Sequence, residues 1–112
     1  MKFEHAVLAL GLLLSLPVLS EPAYKSSAQI APHQPSDAAE HAAMRKVTKI
    51  SMAEAQRLAQ KAAPGSHLVK AELDNEDGNV IYEVEFTQNG FERTVIIDAG
   101  NGKVLSNSLD KD

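Results

Sequence analysis

Cysteine and tryptophan are absent from the 112-residue chain, aromatic residues make up only 4% of it, and no apolar run reaches the roughly 20 residues that span a bilayer as a helix. Without cysteine there can be no disulfide framework, no thiolate metal site and no cysteine nucleophile. Excess charge of either sign is also scarce. With 11 Lys and Arg against 15 Asp and Glu, the net charge of −4 leaves no basic footprint for nucleic acid. A chain this short accommodates one small domain with its targeting or linker sequence, which excludes a large multidomain enzyme.

The N-terminus reads as a targeting segment. Lys2 supplies positive charge, residues 6–16 (AVLALGLLLSL) form an apolar stretch of eleven, and Val18 and Ser20 occupy the −3 and −1 positions of a cleavage site. Residues 1–20 are therefore expected to be a signal peptide, cut between Ser20 and Glu21, and the remainder to be periplasmic or secreted. Because the stretch is too short to span a bilayer, a stable membrane anchor is the weaker reading.

Residues 21–47 form a second region. Residues 21–35 (EPAYKSSAQIAPHQP) hold three prolines, little apolar material and no period, which predicts a disordered tether. Residues 36–47 are alanine-rich, open on Ser36 and Asp37 as N-cap candidates and close on Arg45 and Lys46, predicting a short helix with little to bury.

Residues 48–112 carry the domain. Ser51-Met52-Ala53-Glu54 is a capping box that starts a helix at Met52, and Met52, Ala55, Leu58, Ala59 and Ala62 make an apolar stripe that ends before Pro64-Gly65. The rest alternates with period two and is divided by turn signals at Asn75-Glu76-Asp77-Gly78, Asn89-Gly90 and residues 99–102. A type I′ turn at Asn89-Gly90 pairs Gln88 with Phe91, Val84 with Val95 and Tyr82 with Ile97. The first hairpin, with Asp74 opposite Asn79, pairs Leu73 with Val80, Ala71 with Tyr82, Val69 with Val84 and Lys70 with Glu83. Both assignments put Tyr82 and Val84 on one apolar face. The expected fold is α+β: one amphipathic helix packed on a four-stranded antiparallel meander sheet, preceded by the short Ala-rich helix and the tether. The expected core sets Leu58 and the helix alanines against Val69, Leu73, Val80, Tyr82, Val84, Phe86, Val95, Ile97 and Val104.

The stretch from Ile50 to Ser106 resembles a PepSY domain. The likeness rests on the capped helix with Ala55, Pro64-Gly65 after it, Tyr82-Glu83-Val84 in a strand, and a final Asp98-Ala99-Gly100-Asn101-Gly102-Lys103-Val104. The resemblance implies a helix-on-sheet fold and a non-catalytic binding role outside the cytoplasm. Such domains occur in the propeptides of thermolysin-like metallopeptidases and in small secreted proteins proposed to inhibit or regulate peptidases. It carries over no functional residue.

Residue types that bear chemistry are scattered. His33, His41 and His67, with Met44 and Met52 as soft partners, fall in three different segments and lack the short spacing of a preformed metal site. Glycine in the acidic turn Asp74–Asn79 stands one place early for an EF-hand loop. Ser51, His67 and Asp98 make a poor triad because the capping box already employs Ser51. No metal, cofactor or catalytic residue is assigned. The face opposite Tyr82 is expected to stay bare, with apolar points in an acidic field, and the protein-binding candidates are Lys70, Glu72, Ile81, Glu83, Glu85 and Ile96. The expected function is an exported module that regulates an extracytoplasmic peptidase by protein-protein contact. The alternative is an envelope sensor of a metal or small ligand.

Overall fold

A computed structural model describes residues 24–111, so the expected signal peptide and its cleavage point lie outside the described residues. Among the described residues two helices, α1 (Asp37–Val47) and α2 (Met52–Ala62), precede four strands, β1 (His67–Glu76), β2 (Asn79–Gln88), β3 (Phe91–Asp98) and β4 (Val104–Asp110). The strands form an antiparallel meander in the order β1-β2-β3-β4. The α+β architecture is the one the residue pattern predicts.

Both helices start as capping chemistry dictates. Ser36 Oγ accepts the Ala39 N–H and Ser51 Oγ accepts the Glu54 N–H, each at 3.1 Å. The carboxylate of Glu54 pairs with Arg57 at 2.7 Å. Ala63, the residue before Pro64, caps the end of α2. The stripe of α2 buries Ala55 and Ala59 against Val80, Tyr82, Val84, Phe86, Val95 and Ile97, with Leu58 and Leu73 at the margin. Small residues on the helix let it lie close to the sheet, and the phenol of Tyr82 reaches past it to donate to the Ile50 carbonyl at 2.7 Å.

The β2–β3 hairpin has the predicted register throughout, Gln88 opposite Phe91 and Tyr82 opposite Ile97, across a turn with Asn89 at φ 53° and Gly90 at φ 84°. The β1–β2 hairpin differs. Asp77 and Gly78 take positive φ (54° and 94°) and make a two-residue turn, so Glu76 rather than Asp74 faces Asn79. The register therefore moves by two: Leu73 faces Tyr82, Ala71 faces Val84 and Lys70 faces Glu85. A shift of two preserves which face each side chain occupies, so the predicted apolar face survives.

Two core assignments need correction. A bulge between Leu68 and Lys70 puts Leu68 opposite Phe86 and leaves Val69 unpaired and 57% exposed. Val104 is also exposed, because it begins the edge strand β4. Helix α1 contributes more than its alanines suggest: Met44 is buried and Val47 packs against the same core as α2 and the sheet.

Phe86 is fully buried and Val69 is not. Phe86→Ala should therefore cost about 3–5 kcal/mol, whereas Val69→Ala should stay within about 0.5 kcal/mol of wild type, both read from urea denaturation. A large loss on truncating Val69 would contradict the bulge.

Candidate protein-binding face

The sheet has a helix side and a reverse side, and the register sets out the reverse side in rows. Lys70, Glu85, Thr94 and Ser108 form one row, Glu72, Glu83, Ile96 and Ser106 the next, and Asp74, Ile81 and Asp98 the third. All six predicted binding residues thus share one face. Lys70 and Glu72 are exposed, Glu83 and Glu85 are half-buried, but Ile81 and Ile96 are only 1% and 7% exposed.

The electrostatics of this face are one-sided. Lys70 lies 3.7 Å from Glu72 and 3.9 Å from Glu85, a cation among several carboxylates. Burial pushes the Glu83 carboxyl above its ordinary range, and the charges of Glu85, Asp74 and Glu72 push it further, against a small opposing pull from Lys70. Glu92 is raised by its hydrogen bond to Glu85 and by the repulsion between the two.

Ile81 is buried because the reverse face is not bare at its Asn79–Tyr82 end. The described part of the expected tether has no helix or strand, in keeping with its composition, yet it is pinned to the sheet. Beyond Asp98, where β3 turns away, Gln29 takes the next place beside β2 as an antiparallel partner of Asn79. The Val80 N–H donates to the Ala28 carbonyl and the Ile30 N–H to the Gly78 carbonyl, each at 2.9 Å. Ala28 enters the core.

From there the arm crosses the reverse face. The Ser27 N–H donates to Asp98 Oδ2 at 2.6 Å and its hydroxyl to Oδ1 at 2.8 Å. The Ser26 hydroxyl donates to the Val80 carbonyl at 2.7 Å and lies 3.1 Å from Asp98 Oδ1, while the Ser26 N–H donates to Asn79 Oδ1 at 2.9 Å. Farther out, burial raises the pKa of the Tyr24 phenol, and the charges of Glu76, Glu83 and Asp74 raise it further. In the other direction the chain rounds the β1–β2 turn, where Asn75 Nδ2 donates to the Pro32 carbonyl at 3.2 Å and to Glu40 at 2.9 Å. It then becomes α1 on the helix side.

Asp98 is the knot of this arrangement. It is 2% exposed, and its carboxylate also accepts the N–H groups of Gly100 and Asn101 at 2.7 and 3.1 Å. Burial alone would raise its pKa, but the donors from Ser27, Gly100 and Asn101 outweigh burial and hold it below the ordinary value.

Residues considered for other chemistry stay apart. Ser51 caps α2, Asp98 is bound to the arm, and His67 begins β1. Among the described residues no group of three or more His, Asp or Glu is placed to hold a metal ion, and no helix is long and apolar enough to cross a membrane.

The family model described as "Peptidase propeptide and YPEB domain" (PepSY) matches residues 49–107, just over half of the chain. Neither a curated protein nor a solved structure matches. The match begins after α1, so the arm and α1 lie outside it.

A carboxylate whose folded-state pKa is depressed stabilises the fold above its unfolded pKa, ordinarily 3.8, and that contribution is lost as pH falls through the folded value. Asp98→Asn should therefore lower stability clearly at about pH 6 and approach wild type near pH 2–3. Denaturant melts at the two pH values check this, and an equal deficit at both would contradict it.

Proposed function

Because the chain belongs to the PepSY family, we propose that it is a non-catalytic binding module of the extracytoplasmic space that restrains a peptidase by protein-protein contact through the reverse face of its sheet. The family description ties such domains to peptidase propeptides, which supports a propeptide-like or regulatory role. The observation that carries the reading is the pair of half-buried carboxylates Glu83 and Glu85 in neighbouring rows, beside exposed Glu72 and Lys70. Burial first, and the neighbouring carboxylates after it, raise the pKa of Glu83, so its charge is unfavourable in the fold, and a partner bearing cationic groups would relieve it.

The free edge of β1 is the lesser surface. Its bulge at Val69 breaks the regular ladder an added strand would need, and Asn75 is occupied by the Pro32 carbonyl and Glu40. The face is therefore favoured over the edge.

The test is inhibition of a thermolysin-type metallopeptidase by the purified protein, followed with a chromogenic peptide. Glu83→Lys combined with Glu85→Lys should weaken inhibition at least about tenfold while circular dichroism and the melting temperature confirm a folded protein. Undiminished inhibition would dismiss the face. A melting temperature raised by copper, zinc or calcium would favour the sensor alternative instead.

A further inference from the structure

We propose that residues 24–30 are a releasable strap, latched at Asp98, that covers the apolar part of the reverse face and uncovers it on opening. This deepens the reading above, since the strap lies on the surface assigned to the partner.

Three observations carry it. The arm crosses the face where Ile81, its most buried apolar residue, lies 1% exposed in the row between Asp74 and Asp98. Its polar ties converge on two side chains, Asp98 and Asn79, besides the Val80 carbonyl and the two backbone bonds to Gly78 and Val80. Those two side chains are also not orphaned when the arm leaves. Asp98 keeps the N–H donors of Gly100 and Asn101, and Asn79 keeps its Nδ2 bond to the Glu76 carbonyl at 3.1 Å while its Oδ1 exchanges the Ser26 and Gln29 donors for water. Ser26, Ser27 and Gln29 would exchange their bonds for water. The penalty that makes a buried polar latch irreversible, an abandoned charge, is thus avoided. What opening exposes is apolar surface, which a docking partner can cover again.

Gly100 offers a way to control the strap. It is not in the left-handed region, and a Cβ added to it would press on Ser27 Oγ. The pair Ser27→Cys with Gly100→Cys should therefore close a disulfide when oxidised and free the arm when reduced, in a chain with no other cysteine. Ser26→Ala with Ser27→Ala partly unlatches the arm, removing both hydroxyls from Asp98 and the Val80 carbonyl while leaving the backbone N–H bonds of the two residues and the 98–101 turn intact.

Hydrogen exchange of the full protein is read by mass spectrometry for residues 24–31 and for β3. In wild type the arm should exchange at least about tenfold faster than β3. The Ser-to-Ala pair should speed arm exchange about tenfold more without changing β3, and the oxidised Cys pair should slow it to the β3 rate. A dye that reports apolar surface should bind the unlatched form and not the oxidised one. The metallopeptidase should be inhibited more strongly by the reduced than by the oxidised Cys protein. Arm exchange in step with β3 in both wild type and the Ser-to-Ala pair would overturn the strap and make the arm a permanent part of the fold. Opening by exchange and dye, with no inhibition by any form, would uphold the strap and remove the peptidase reading.

Discussion

A carboxylate taken out of water must be met by donors, and the need to satisfy Asp98 organises one end of this molecule. Its oxygens gather the turn that ends β3 through Gly100 and Asn101, and the N-terminal arm through Ser26 and Ser27. Once the arm is held there, Ala28 and Ile30 continue the sheet beside β2, and the chain is aimed around the β1–β2 turn toward α1. Met44 then closes the core from the helix side. One buried acid thus links segments more than 70 residues apart in the chain.

The consequence is visible in β2. Along most of the strand burial alternates, as one covered face requires, but Asn79, Val80, Ile81 and Tyr82 are all buried. The helix side covers Val80 and Tyr82, and the arm crosses the side that bears Asn79 and Ile81. The reverse face is in this way divided into a closed end around Ile81 and an open acidic part around Glu72, Glu83 and Glu85, where like charges are left side by side. A binding module gains from such a division: charge stays in water to attract a partner, while apolar surface is kept from nonspecific association.

Much of the fold was legible because short-range rules suffice for it. Ser36 and Ser51 cap their helices, Asn89-Gly90 makes its two-residue turn, and the alternation of Tyr82, Val84 and Phe86 picks the buried face. The first hairpin lies two residues from its expected register because Asp77-Gly78 alone turns the chain, and parity still preserves its faces. The bulge at Val69 has no local signature, since a valine in a strand looks the same paired or unpaired. The arm had a faint one: Ala28-Gln29-Ile30 alternates, and Ser26-Ser27 supplies the donors that Asp98 needs. Proline and polar neighbours hid it.

What the residues determined unaided is the identity of the elements and which side of each strand is apolar, because both follow from contacts within a few positions of the chain or across a single turn. Only the tertiary structure decided that the reverse side is half closed, that Ile81 is buried, and that the segment before α1 belongs to the same core. Those outcomes depend on bringing Ser26 and Ser27 to a carboxylate far along the sequence. No local preference encodes such a meeting; it exists only when the β3 end and the turn after it have already formed.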